Sequence, residues 1–468
     1  MTLSAKRAVG ALFLLGLLVL GFLPASEVAR AGAAAAPIDA ADTAWMLTAT
    51  ALVLLMTPGL SFFYGGMVRA KNVVSTLLQS FVAMAVISLL WVIVGFSLAF
   101  GDSLGGVIGD PRTFFMFAHV GGATDPALAP TIPLILFALF QLKFAIITPA
   151  LITGAFAERI RFGAYVLFMV LFSLLIYAPL AHWTWHPEGF LRKWGVLDFA
   201  GGTVVHMSAG FAAVAGAIAL GRRRVHVDGG THAPANIPFV MLGTGMLWFG
   251  WFGFNAGSAL GAGHKAAVVF VTTLLAGAAG TLGWLVLERF RDGKATSLGA
   301  ASGMVAGLVA ITPSGGSLTP IGALLMGGVA GVVCAAAVGL KFRFGYDDSL
   351  DVVGVHLVGG LIGTLGIGLL GTSAAPTAVD GLFYGGGVTQ LGKQAIGAAV
   401  VLVYAFVVSA ALGYAVERLI GFRLIPEHEV SGIDLAVHGE TAYDFHTVTG
   451  GRAGGHGILR SLSHPEED

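Results

Sequence analysis

The sequence predicts an all-α membrane protein of eleven transmembrane helices. They form an inverted repeat of five plus five helices with one further helix, behind a cleavable N-terminal signal peptide. Three observations carry that expectation. Hydrophobic residues make up 56% of the 468 residues and charged residues only 11%, which is not the composition of a soluble domain. Apolar stretches long enough to span a bilayer recur eleven times after the first 31 residues. The segments between them alternate between rich and poor in Lys and Arg.

The N-terminus has the pattern of a secretory signal over 1–31. Lys6 and Arg7 precede the apolar run 8–23, and Ala29-Arg-Ala31 offers an A-x-A cleavage site; an uncleaved extra helix is the alternative. The expected spans have cores at 43–67, 73–100, 131–157, 162–181, 199–220, 238–259, 267–289, 295–312, 319–340, 352–372 and 393–420. Backbone polar groups must be satisfied inside the bilayer, so these are helices, with kinks or reshaped turns expected at Pro58 and Pro149. Glycine, 69 residues, is about twice its usual share of roughly 7%, as close helix packing in a membrane requires.

Loop charge sets the orientation. Alternate loops carry Arg69 and Lys71, Arg159 and Arg161, Arg222 to Arg224, Arg289, Arg291 and Lys294, Lys341 and Arg343, and Arg418 and Arg423. The other set holds only Arg112, Arg192, Lys193, Lys265 and Lys393. The positive-inside rule therefore places the N-terminus outside and the C-terminus in the cytoplasm, in a multi-pass protein of the plasma membrane (the inner membrane of a bacterium). An odd number of spans fits. The formal net charge is zero, and nothing points to a nucleic-acid partner. The lone Cys334 permits no intrachain disulfide and no cysteine metal site, and is read as a small buried hydrophobe.

The repeat follows from the same map. The first half, 42–220, ends with the segment holding Asp198 and His206. The second half, 238–372, ends with the segment holding Asp348 and His356, at the same eight-residue spacing. Five helices is an odd number, so the second half enters the membrane upside down, and sites in such folds lie between the halves near the midplane. The eleventh helix, 393–420, leads into a cytoplasmic tail, 421–468, whose last fifteen or so residues are expected to be disordered.

On an α-helix, eight residues advance roughly 12 Å. Each Asp would then sit near a membrane surface, with its His about a third of the way into a core of roughly 30 Å. One buried histidine is usually a packing residue. Two at matching places in inverted halves can meet at the interface, share a hydrogen bond and still present polar atoms to a small substrate. A metal site is the weaker reading, because no third ligand shares the spacing.

Aromatic residues flank this region. Phe140-Gln-Leu-Lys-Phe144 lies in the third helix and Trp251-Phe-Gly-Phe-Asn-Ala-Gly-Ser258 in the sixth. At helical spacing such residues are usually core, but beside two histidines they could form a narrow, dewetting gate. Asn255 and Ser258 are ordinary interhelical hydrogen bonders on the bland view. His182-Trp-Thr-Trp185 reads as part of an interfacial belt or as a cation–π site.

At these residues the sequence resembles a known family, the ammonium transporters of the Amt branch of the Amt/Mep/Rh superfamily. The resemblance rests on FYGGMVR (63–69), FAIITPALITGAFAERIRF (144–162), LDFAGGTVVH (197–206), GWFGFNAGSAL (250–260), the Asp348 to His356 segment and GIDLAVHGETAY (432–443). It covers residues 42 to 443 in order. It implies that His206 and His356 are the twin histidines of the pore, and that Phe144 and Phe254 are the stacked phenylalanine gate. Trp185, Phe140 and Ser258 would form the outer ammonium recruitment site, with Trp183 as the alternative to Trp185. Asp198 would be the aspartate that orders the vestibule. The resemblance also implies ammonium or ammonia as substrate, no cofactor, a homotrimer with one pore per subunit, and a PII-type signalling protein at the cytoplasmic face. One position departs from the family pattern. Lys143 stands where a small or apolar residue is usual, and an unpaired charge there costs about 2.5–3.5 kcal/mol. It either makes a structural contact away from the pore or repels cations at the gate.

The expected function is inward conduction of ammonium nitrogen by cation recruitment, deprotonation and passage through the twin-histidine pore. Carrying the whole cation through an apolar pore costs far more than splitting it into ammonia and a proton. Two rivals are an ammonium sensor with little flux, which the short tail disfavours, and a neutral gas channel of the Rh type. No nucleotide loop, triad or metal cluster points to an enzyme. Asp434, His438 and Glu440 are read as structural contacts of the tail with cytoplasmic loops, and Thr441 and Tyr443 as residues open to regulation.

Overall fold

The structure, a computed structural model, describes residues 36–227 and 233–443. The segment expected to be a signal peptide, 1–31, and the tail beyond residue 443 lie outside the described residues. Within them are eleven helices long and apolar enough to cross a membrane: α1 (Ala40–Met67), α2 (Ala70–Phe100), α3 (Leu134–Phe156), α4 (Phe162–Trp194), α5 (Gly202–Leu220), α6 (Ile237–Gly257), α7 (His264–Asp292), α8 (Ser297–Ser314), α9 (Pro320–Phe344), α10 (Val353–Leu370) and α11 (Thr389–Ile420). "Outer" and "inner" below follow the orientation expected from loop charge.

Side chains cap several starts where sequence chemistry allows it. Asp39 accepts from the Asp42 amide, Asn236 from Phe239, Thr296 from Gly299 and Thr319 from Gly322, each satisfying one orphan donor of a helix N-terminus. Helices α1 and α3 run on through Pro58 and Pro149. Local breaks come instead as π-helical turns at Trp91–Gly95, Ser173–Tyr177, Gly202–Met207 and Val353–Leu357. Such turns widen a helix by one residue and often mark functional positions.

The halves correspond in their packing. Helix α3 lies on α5 as α8 lies on α10, while α1 runs along α6 and α5 meets α10 to join the halves. Glycines allow the α1–α6 approach: a Cβ at Gly243 would stand 2.3 Å from the Phe63 amide nitrogen, and one at Gly250 2.2 Å from Met56 Cγ. Helix α3 is buried on nearly every side and is the centre of the first half. Helix α11 covers α4, α5 and α10 from outside. Cys334 is buried. The outer segment between α2 and α3 carries a hairpin of β1 (Ser103–Leu104) and β2 (Ile108–Gly109).

Candidate functional site

The site begins at Asp198, which precedes α5 rather than lying on it. Its Oδ1 accepts from the amides of Gly201 (2.8 Å) and Gly202 (2.7 Å). Its Oδ2 accepts from the amides of Thr203 (2.8 Å) and Val204 (3.2 Å) and from the Thr203 hydroxyl. The carboxylate therefore caps the first turn of α5, where the helix dipole also favours a negative charge. Gly201 has φ 123°, and a Cβ there would meet the Val205 side chain at 2.7 Å, so the turn needs glycine. The Trp185 indole donates to the Asp198 carbonyl oxygen at 3.1 Å, which hangs the outer end of α4 on the same loop.

Above this turn opens a cavity of about 460 Å³, lined among others by Gln141, Phe144, Trp185, Asp198, Phe199 and Ser258. Of the two candidate tryptophans, Trp185 lines it. Trp183 instead donates to the Val107 carbonyl and packs on Phe190 and Tyr404. Phe140 stands behind the wall: its ring lies 5.0 Å from that of Phe144 and fills the space beside Gly257. The Ser258 hydroxyl donates to the Phe254 carbonyl at 2.8 Å, leaving its oxygen lone pairs for a donor in the cavity. The Asp198 carboxylate thus lines this cavity while accepting five hydrogen bonds from the start of α5.

Phe144 and Phe254 close the floor of the vestibule, with ring centroids 4.2 Å apart. The Trp185 ring meets Phe144 edge-on at 5.8 Å. Below the pair lies a second space of about 10 Å³, lined by His206, His356, Trp251, Phe254, Phe63 and Leu151 among others. That is about the least volume that holds one water. His206 and His356 meet there, Nδ1 to Nδ1, at 3.2 Å. The two histidines come from the π turns of α5 and α10, so the wider turn, which rotates less per residue than an α turn, departs from the regular helical spacing expected from sequence where they meet.

That contact fixes the proton count. An Nδ1···Nδ1 hydrogen bond needs one donor and one acceptor, so a neutral pair holds one Nδ1–H tautomer and one Nε2–H tautomer. It then shows the pore one basic Nε2 and one Nε2–H. A single extra proton converts the basic Nε2 to N–H and leaves the shared bond intact; a second would destroy it. His206 Nε2 is buried without a hydrogen-bond partner among the described residues, and the Trp251 and Phe254 rings lie 5.6 and 6.1 Å from its ring. No group of three or more potential metal ligands occurs among the described residues.

Several contributors escape a reading of sequence. Trp251 stands one helical turn before Phe254, and that spacing is the signal that could have marked it. Its indole donates to Thr312 Oγ1 at 2.9 Å. Arg192, Phe199 and Lys265 reach the vestibule from three separate segments, and Lys265 Nζ stands 5.1 Å from the Phe199 ring centroid. Asn255 Nδ2 donates to Thr273 Oγ1 at 3.1 Å, the interhelical role expected. Lys143 is 8% exposed and does not line the vestibule or the pore space.

The inner end is tied together by charge. Glu158, at φ 70°, accepts from Arg69 (2.9 Å), Asn72 (2.9 Å) and Arg223 (2.8 Å). Arg223 also pairs with Asp347 at 2.9 Å. Burial alone would raise the Asp347 carboxyl, but the Arg223 guanidinium overrides it and holds it down to about 2. The tail docks on this frame: Asp434 accepts from the amides of Val74 and Ser75, the Ile433 amide donates to Asn72, and His438 meets Ser75 Oγ at 3.2 Å. Tyr443 Oη accepts from Asn236 Nδ2 at 3.2 Å. The Glu440 amide donates to the Asp434 carbonyl at 3.3 Å, a bond within the tail and not the contact with a cytoplasmic loop expected from sequence.

Comparison with known proteins places this geometry. The family model described as Ammonium Transporter Family matches residues 44–443. An ammonium transporter of Mycobacterium tuberculosis (strain H37Rv) is 52% identical over 439 residues, covering 88% of this chain and 92% of that one. An ammonium transporter of Bacillus subtilis (strain 168) is 45% identical over 406 residues, covering 86% and 98%. Among solved structures, Candida albicans Mep2 superposes with a TM-score of 0.78 at 34% identity, covering 84% of this chain and 88% of that one. A solved sensor Amt protein gives 0.77 at 31% identity, covering 85% and 98%.

Proposed function

The chain belongs to the ammonium transporter family, and from that premise we propose that it conducts ammonium nitrogen inward across the plasma membrane by splitting the cation at the histidine pair. The single observation that carries this reading is the Nδ1···Nδ1 contact of His206 and His356 at 3.2 Å below a closed aromatic gate.

Ammonium is recruited in the vestibule, where the Trp185 face and the Ser258 lone pairs receive a cation that brings its own N–H donors. Phe140 supports Phe144 from behind. Asp198 holds the vestibule's shape through the amides it caps. Past Phe144 and Phe254 the wall is apolar, and moving a bare cation there costs tens of kcal/mol at the idealised Born limit. The basic Nε2 of the pair takes one proton, and neutral ammonia occupies a space sized for one water-like molecule. Potassium has no proton to give up, so it is refused by chemistry and not by size. Lys143, away from both cavities, leaves the gate unobstructed.

The same reading places the N-terminus outside and the C-terminus in the cytoplasm, from loop charge. It takes a homotrimer and a PII-type partner at the inner face from the family resemblance, with the docked tail as the surface such a partner would meet. A second reading, an ammonium sensor with little flux, draws support from the likeness to the sensor Amt protein. Reconstituted protein separates the readings. An ammonium jump that yields current or internal pH change, with none from a potassium jump, is the expected result. Ammonium binding without flux overturns conduction and supports the sensor.

A further inference from the structure

The inner end of the pore holds a carboxylate with an unused oxygen. Asp348 is 1% exposed and precedes α10 as Asp198 precedes α5. Its Oδ2 accepts from the Val353 amide at 2.7 Å, but its Oδ1 is buried without a hydrogen-bond partner among the described residues. A charged oxygen sealed from solvent is costly unless a donor reaches it. The neighbouring donors are spent elsewhere. Lys341 Nζ donates to the Asp348 carbonyl and to Asp351 Oδ1. The Tyr64 hydroxyl donates to the Leu151 carbonyl at 3.0 Å. Arg159 donates to Ser349 and to the Asp347 carbonyl, although its Nε, too, is buried and unpartnered.

The position is what gives this oxygen a use. Phe63 and Leu151 line the histidine space. Tyr64 follows Phe63 in sequence, and its hydroxyl donates to the carbonyl of Leu151, another lining residue. Val352 and Tyr64 press on the same side of Gly154. Asp348 thus lies at the inner start of α10, eight residues before His356 on the same segment and behind the Phe63–Leu151 side of the histidine space.

We propose that Asp348 Oδ1 is the inner proton acceptor of the pore, the group that takes the proton from the histidine pair and returns it to ammonia on the cytoplasmic side. This rests on the conduction reading above. In the step, an imidazolium N–H bond breaks and a carboxyl O–H bond forms, relayed by water. That O–H then breaks as the fourth N–H bond of ammonium forms, and the carboxylate is regenerated. Burial, with the Asp351 charge next, pushes the Asp348 carboxyl up to about 6, so it accepts and releases a proton near neutral pH. Lys341 opposes that shift, and Arg159 and Tyr346 face the same carboxylate.

The test uses the whole protein in liposomes, an external ammonium jump, and internal pH clamped between about 8 and 5. Wild-type current is expected to hold at high internal pH and fall several-fold as internal pH passes through about 6, where the acceptor fills from inside. Asp348→Asn is expected to carry roughly a tenth of the current or less, with the same half-saturating ammonium and no inflection. Asp351→Asn is expected to stay within about two-fold and to move the inflection to lower pH. Wild-type current independent of internal pH, uptake without current, or a folded Asp348→Asn with the wild-type profile would each overturn the proposal. Should Asp348→Asn fail to fold, the wild-type profile and the Asp351→Asn shift decide alone. Absence of any wild-type flux removes the conduction reading itself, and this acceptor with it.

Discussion

The two Asp-to-His segments share a spacing and part in their chemistry. Each places a carboxylate just ahead of an apolar helix and a histidine in the π turn that opens it. The histidines meet and act as one unit. The carboxylates do not. Asp198 is saturated by five donors, whereas Asp348 keeps one oxygen without a partner among the described residues. An inverted repeat can therefore duplicate a backbone plan while local amides decide whether a carboxylate anchors the fold or remains reactive.

Removing the outer carboxylate should do the most damage. Asp198→Ala leaves four buried amides and the Thr203 hydroxyl without an acceptor, at about 1–3 kcal/mol for each donor that water cannot reach. The expected result is a steep loss of monodisperse protein, with a thermal midpoint lower by on the order of 10 °C. A midpoint within a degree or two of wild type would show that Asp198 is not the anchor.

The inner carboxylate should behave in the opposite sense. The folded state raises the Asp348 carboxyl to about 6, so folding binds a proton there, and this group's contribution to stability improves as pH falls below about 6 toward the ordinary carboxyl range. At pH 7 the ionised form weakens the fold by an amount on the order of a few kcal/mol. Asp348→Asn should therefore melt a few degrees higher than wild type at pH 7, and the gap should shrink to about half by pH 5 and close only near pH 4, where the unfolded carboxyl takes up its proton as well. A variant that melts lower at both values would contradict the contrast.

Smaller effects lie further from the two carboxylates. Ser258→Ala removes one acceptor from the vestibule and should raise half-saturating ammonium by about five-fold, near 1 kcal/mol, while leaving the maximal rate nearly unchanged. A fall in maximal rate with unchanged half-saturation would place Ser258 in the conduction step instead. Lys143→Met, at a position that lines neither cavity, should alter flux by less than about two-fold. A large gain in flux would instead make Lys143 a barrier at the gate.

Much of the fold is legible because the bilayer enforces it. Eleven apolar runs become eleven helices, with ends displaced where polar residues continue a helix past the apolar core. Helix α4 continues through His182-Trp-Thr-Trp185, breaks at His186 and is followed by a short helical turn at Phe190–Trp194, and α7 extends into Arg289 and Arg291. The histidine pair is legible from its repeated spacing and the phenylalanines from the family motifs. The placement of Lys143 is not, because α3 is buried on nearly all sides and its sequence shows no polar face. Arg192, Phe199 and Lys265 gather from three segments, which no local pattern reports. Nor could spacing reveal that Asp198 is saturated and Asp348 is not, since that depends on where individual amides point.

The most direct test of cation splitting is the ion selectivity of His206→Ala. Currents are recorded from liposomes after matched ammonium and potassium jumps, beside wild type. Splitting at the histidine pair predicts an ammonium-only current in wild type and loss of that distinction in the variant, either as no current or as current from both ions. A His206→Ala protein that still carried ammonium at the wild-type rate and still excluded potassium would contradict it.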